Sequence, residues 1–242
     1  MRRFWENATI EPIEGGFAVL LDRRPVRLPG GAVLRVRPER LALAVAAEWQ
    51  VAGEGRGGTL SFEDTPLTRL AGTAQERIAG DPWPTVDAIA RYGETDLLCY
   101  RAETPEELVQ RQARRWQPWL DWMAAEHDAP LWVGVGVAPI RQHRGSIASL
   151  RRAVAAFDAY MLAGLGLAVP ALGSLVLGLA LAAGRIDAAE AHALGALDEL
   201  FQAEKWGEDA EAAVRRASIA ADIALAAQFM ELAREGGRGL EG

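Results

Sequence analysis

From Ala159 to Gly184 the chain runs for 26 residues without a charge, long enough to span a bilayer as one helix. Its composition argues for another use. Gly164, Gly166, Gly173, Gly178 and Gly184, together with many alanines, dilute the stretch, and small residues contribute little transfer energy. Pro170 stands inside it, where a proline removes one helical hydrogen bond and crowds the preceding turn. Upstream, Ser146–Tyr160 already reads as helix, so the uncharged run starts within an element. Two buried helices meeting near Pro170 account for these features, and no stable membrane insertion is expected.

Helices of that kind need a sizeable core around them. The chain has 242 residues, 50% hydrophobic and 24% charged, enough for one large domain or two small ones. A net charge of -7 offers no basic face, so no nucleic-acid partner is expected. Cys99 is the only cysteine, which leaves no internal disulfide and no cysteine-rich zinc site. The opening Arg2-Arg3-Phe4-Trp5 has no apolar stretch behind it, and Glu6, Glu11 and Glu14 are wrong for a transit peptide. A cytoplasmic setting is the expectation, or the mitochondrial matrix for a processed form.

The first forty residues read as short strands: Ala8–Ile13, Phe17–Asp22, Pro25–Leu28 and Val33–Val36. Gly15-Gly16 and Pro29-Gly30-Gly31 separate them, which suggests antiparallel hairpins. Pro38 opens a helix to about Val51, with Leu41, Val45 and Trp49 on one face. The glycine-rich stretch 53–58 lacks the Gly-Lys-Ser/Thr ending of a phosphate loop and reads as a linker. Further helices are expected from Pro66 and over Thr85–Tyr92, then a strand over Leu97–Arg101. Thr104-Pro105-Glu106-Glu107 has the form of a capping box, opening a helix to about His127. Trp116, Trp119, Leu120 and Met123 make an apolar stripe on that helix. Alternating valines predict a strand over Leu131–Val137. Beyond Ser146, read as a helix cap, everything is helical. Asp187 and Glu190 cap a helix that Gly207 ends after Trp206, and Asp209 caps the last, which runs to about Glu235. Trp49, Trp116 and Trp122 are expected to be largely buried. The class is α+β: a small β-rich N-terminal domain over residues 1–80, then a mainly helical C-terminal domain over residues 81–242.

Chemistry is sparse. His127, His143 and His192 have no metal-ligand spacing, and Arg144-Gly145-Ser146-Ile147-Ala148 is not a hydrolase elbow. Two isolated Gly-x-Gly pairs lack the third glycine of a dinucleotide fingerprint. Asp198 and Glu199 are adjacent on a helix and cannot face each other. Glu94 and Asp96 could share a strand face, which keeps a carboxylate-dependent enzyme open as the alternative. No catalytic, cofactor-binding or metal-binding residue is assigned.

Several blocks follow one another in a familiar order. They begin with Arg3-Phe4-Trp5, Gly16-Phe17 and Leu21-Asp22-x-Arg24-Pro25-Val26-Arg27. Ala46-Ala47-Glu48-Trp49, Pro66-Leu67-Thr68-Arg69-Leu70-Ala71 and the long stretch Tyr92–Arg101 continue the series. Gly173–Gly178 and Leu197-Asp198-Glu199 through Gln202, Trp206 and Gly207 complete it. In this the chain resembles the assembly chaperones for the α subunit of the F-type ATP synthase. It departs from their pattern at residues 53–65, which are glycine-rich, and at Gly72, where asparagine is usual. The resemblance implies no catalysis, no cofactor and no bound nucleotide, with the free ATP synthase α subunit as partner; a monomer is the expectation for the chain itself. It also points to Asp198, Glu199, Gln202, Trp206 and Glu208 as partner-binding residues. The segment Asp187–Glu211 around them carries eight acids against Lys205 alone.

Overall fold

The computed structural model describes residues 2–54 and 57–234. The chain divides into two compact units: residues 1–81 with 159–164 and 228–242 form the first, and residues 82–158 with 165–227 the second. Strands are concentrated in the first unit and helices dominate the second, an α+β arrangement with the strands first.

In the first unit β1 (Ala8–Ile13) and β2 (Gly16–Leu21) form an antiparallel hairpin in register from Ala8 opposite Leu21 to Ile13 opposite Gly16. Gly15 holds φ +77°, a conformation that favours glycine. The other edge of β2 takes β3 (Arg24–Pro25) and β4 (Arg35–Val36). Both are shorter than the sequence suggests. Residues 26–34 form a looser hairpin joined by Leu34 N–H to Val26 O (2.8 Å) and Leu28 N–H to Ala32 O (2.9 Å). Asp22 is not strand but turn: its carboxylate accepts the amides of Glu6 and Asn7, both at 2.9 Å.

Helix α1 (Glu39–Val51) packs on this sheet and buries Leu41, Ala42, Val45, Ala46 and Trp49, the face its four-residue spacing predicts. Trp5 donates its indole N–H to Trp49 O (3.0 Å), and Trp49 donates in turn to Thr68 Oγ1 (2.8 Å). That hydroxyl donates to Glu48 Oε2 (2.8 Å). Glu48 also accepts Leu67 N–H (2.6 Å) and Thr68 N–H (3.0 Å), so α1 caps α2 (Pro66–Thr73) from outside its own sequence. Burial pushes the Glu48 carboxyl upward against these bonds. The remaining stretches contribute Tyr160, whose hydroxyl accepts Arg37 N–H (3.0 Å) and donates to Arg35 O (3.2 Å), and Phe229, 6.3 Å from its ring.

The second unit holds α3 (Trp83–Ala90), β5 (Tyr100–Arg101), α4 (Glu106–His127), β6 (Gly134–Val135) and α5 (Arg144–Ala155). Helix α6 (Ala159–Leu172) contributes residues to both units; α7 (Leu175–Ala182), α8 (Ala188–Gly195) and α9 (Leu197–Trp206) belong to the second. Helix α10 (Ala210–Ala233) also contributes to both. All eight residues of α7 are buried, and the helix packs against α4 and α8. A Cβ at Gly178 would overlap the side chain of Val169, so glycine permits the close approach of α6 and α7. Trp116 is fully buried and donates to Leu194 O (3.0 Å). Among the described residues no helix is long and apolar enough to cross a membrane.

Six expectations need correction. The uncharged run breaks at Gly173, φ +62°, not at Pro170. Helix α6 runs through Pro170 to Leu172, and the Ser174 hydroxyl caps α7 by accepting Leu177 N–H (3.1 Å). Leu97–Cys99 is a 3-10 turn, leaving a two-residue strand, and Leu131–Val137 supplies only the parallel partner β6. Ser146 does not cap α5. Its hydroxyl donates to Pro130 O (2.6 Å), and His143 caps instead, through Nδ1 and Gly145 N–H (3.2 Å). Thr104 makes no capping bond because Pro105 is the residue preceding the helix. Trp122 is half-buried, its indole N–H unpaired, whereas Trp49 and Trp116 are buried. Within the glycine-rich stretch 53–58, Gly55 and Arg56 lie outside the described residues, as does the expected helix end at Glu235.

Candidate functional site

The region read as partner-binding is two helices rather than one. Asp187 caps α8 by accepting Glu190 N–H (2.8 Å), and Ala196 separates α8 from α9. Leu197 and Phe201 form the buried side of α9. Phe201 lies beneath Arg111, whose guanidinium carbon is 5.0 Å from the ring centre. Glu204 accepts from Arg111 (2.7 Å) and Lys205 meets Glu107 (2.6 Å), which fastens α9 along α4. The Lys205 bond, first among its causes, draws the Glu107 carboxyl below its ordinary range. Gly207, φ +93°, ends the helix.

The five residues divide by direction. Asp198 turns inward: its Oδ1 accepts Gln112 Nε2–H (2.8 Å), and Gln112 itself is fully buried and accepts Ala102 N–H (2.8 Å). Burial pushes the Asp198 carboxyl upward, opposed by the Gln112 bond and by Arg101. Glu199, Gln202 and Trp206 are exposed, three and four residues apart on one face. Trp206 is 75% exposed at the helix end and points out. Glu208 lies beyond the helix and meets Arg216 at 2.6 Å, and the same guanidinium stands 3.8 Å from Glu199. Arg215 is 4.0 Å from Glu199. Arg216 is only 7% exposed, so it joins α9, the exit loop and α10 beneath the acidic surface. Nothing in the local sequence distinguishes it from its neighbour Arg215.

Glu94 and Asp96, the pair behind the enzyme alternative, do not share a pocket. Glu94 lines a small surface pocket with Arg141 and Arg144. Asp96 is fully buried and binds Ser174 Oγ (2.8 Å), Val176 N–H (3.0 Å) and Leu98 N–H (3.1 Å), tying the turn before β5 to the start of α7. Among the described residues no three His, Cys, Asp or Glu side chains group to hold a metal ion.

A second apolar surface escaped functional notice. Trp132, Val133, Val135 and Val137 are exposed around β6, the last at 96%. Their alternation suggested a strand but gave no sign that both faces would meet water.

Comparison with known proteins places this architecture. The chain superposes on the crystal structure of Atp12 from Paracoccus denitrificans with a TM-score of 0.90 and 45% identity, covering 96% of this chain and 98% of that one. It superposes on the Atu1473 protein of Agrobacterium tumefaciens with a TM-score of 0.89 and 36% identity, over 95% of this chain and 85% of the other. The mitochondrial protein atp12 of Schizosaccharomyces pombe is 25% identical over 222 residues, which is 86% of this chain and 75% of that protein. The family model for the ATP12 chaperone protein matches residues 2–124. Strands first, helices after and the ordered blocks from Arg3 to Gly207 thus have one explanation: the chain belongs to the ATP12 chaperone family, the ATP synthase assembly chaperones.

Proposed function

We propose that this protein binds the free α subunit of ATP synthase and assists assembly of the catalytic head, acting by binding rather than by catalysis. Family membership over the matched length is the observation that supports the reading. An unassembled ring subunit exposes interface with an apolar centre and polar rim, a surface prone to aggregation. A chaperone for it must cover that surface and still yield to the proper neighbour, which favours a modest, polar contact. Glu199, Gln202 and Trp206 supply such a contact: an exposed aromatic anchor beside polar groups is the usual makeup of a binding hot spot. Glu208 and Asp198 act behind them. Glu208 holds Arg216 in place, and Asp198 fixes the helix through Gln112.

Co-expression with the ATP synthase α subunit tests the reading. The α subunit should remain in the soluble fraction and co-purify with the tagged chain. Recovery of equal soluble α subunit with and without the chain, and none on the affinity resin, would reject it.

A further inference from the structure

The first unit contains a cleft of about 710 Å³, formed by the Val26–Pro29 edge, the end of α1 and the exposed side of α2 with the turn that follows it. That is within the size range of sites that take up ligands, ~300–1,000 Å³. Its floor is apolar. Val26, Leu28, Trp49 and Leu60 are each 6–7% exposed. The polar groups beneath it are already occupied, since Trp49 donates to Thr68 and Thr68 to Glu48. The floor therefore presents mainly carbon, with the Ser61 and Thr65 hydroxyls at its side.

The rim is different. Arg27, Arg69 and Arg77 line it and are exposed, against the single carboxylate of Glu76. Glu76 is engaged by Gly30 N–H (3.1 Å), and Arg27 donates to Gly31 O (2.8 Å). Among the described residues neither Arg69 nor Arg77 makes a side-chain hydrogen bond or a close ion pair, and Arg69 acts on Glu48 only at longer range. A cationic rim of this kind stands out in a chain whose net charge is -7.

Spacing narrows the occupant. Arg69 and Arg77 are eight residues apart on one helical stretch, so their backbones are separated by about 12 Å at ~1.5 Å per residue. Two long arginine side chains could converge on one carboxylate across that span, but two carboxylates held apart satisfy both without bringing the guanidiniums together. An extended peptide rises ~3.3 Å per residue, so two acidic side chains three or four residues apart match the interval. We infer that this cleft binds an acidic peptide segment of another protein, with two carboxylates on Arg69 and Arg77 and an apolar side chain between them on the floor. The bidentate pairing of guanidinium with carboxylate supplies direction, and the floor supplies burial.

The test needs no ATP synthase subunit, so its failure leaves the proposed client reading untouched. The purified chain is offered to an array of heptapeptides combining Asp or Glu with Leu or Phe, beside a matched array in which Lys or Arg replaces the acids. Peptides with two acids three or four apart and an apolar residue between should be retained. Their affinity should fall at least tenfold in R69Q/R77Q, which removes both charges from exposed positions without setting an acid beside Glu48, so the melting temperature should move little. Should that variant melt early, R77Q with salt-dependent affinity in the parent serves instead, with an expected loss of several-fold. Three outcomes would each overturn the inference: no retained peptide, equal retention of the basic array, or undiminished binding by the variants. Displacement of the peptides by succinate at equal concentration would also overturn it, assigning the cleft to a small anion.

Discussion

Replacing Asp96 by asparagine should reveal a carboxylate that works against stability at neutral pH. The group is fully buried, and its partners are all donors: Leu98 N–H and the Ser174 hydroxyl on Oδ1, Val176 N–H on Oδ2. Burial outweighs these bonds and pushes the carboxyl from its ordinary 3.8 up to about 6. As pH rises the unfolded chain loses this proton first, and between the two values the folded state binds more protons. Stability therefore falls as pH rises through that window. Integrated from about pH 4.5 to about pH 7, this single group removes about 2 kcal/mol. Asparagine keeps the shape and the Oδ1 bonds but cannot ionise. Its amide nitrogen faces Val176 N–H, so one bond is lost at every pH, at a cost of about 1–3 kcal/mol. The stability advantage of the parent over D96N should thus shrink by about 2 kcal/mol between the two pH values. Urea melts of both proteins at each pH measure it, and all other carboxylates cancel in the difference. An advantage that stays constant within ~0.5 kcal/mol, or grows with pH, would refute the reasoning.

Other outcomes follow from the same structure. E199K should weaken capture of the α subunit in the co-expression assay while stability changes by no more than ~1 kcal/mol, because the Arg215 contact is exposed and the buried Arg216 keeps Glu208 at 2.6 Å. W116A should cost about 3–5 kcal/mol in urea melts, whereas W206A should cost less than ~0.5 kcal/mol and act on client binding alone. W122F removes an indole N–H that has no partner, so it should leave stability equal or raised; a loss above ~1 kcal/mol would show that the nitrogen is satisfied in solution.

Local pattern reached some features and missed others for identifiable reasons. The α1 face is visible in Leu41, Val45 and Trp49 because its partner is a neighbouring sheet, and periodicity alone names the buried side. Leu97–Cys99 looks like strand because its residues are apolar. The turn there depends on Asp96 and on Ser174, 78 positions away, which no local window contains. Cap residues fared unevenly. Asp187 and Asp209 act where they stand, while α2 is capped by Glu48 from another helix and Ser146 is drawn away by Pro130. At the candidate site, three- and four-residue spacing puts Glu199, Gln202 and Trp206 on one helix face, but only the structure shows that face exposed. Spacing could not show Asp198 turning to Gln112, nor Arg216 lying beneath the acids, since each depends on a distant segment. The arginine-rimmed cleft gave no sign at all, because its walls come from four separate stretches between Val26 and Arg77.

The three-part makeup of the first unit has a consequence for how this chain is born. Tyr160, whose hydroxyl joins Arg35 and Arg37, and Phe229 beside it are translated long after the sheet they complete. A ribosome adding ~5–20 residues per second needs roughly seven to thirty seconds to travel from the end of the first stretch to the last. Through that interval the nascent sheet and α1 stand without their final pieces, while the whole second unit emerges. The order of completion thus reverses the order of synthesis: the unit begun first is the one finished last.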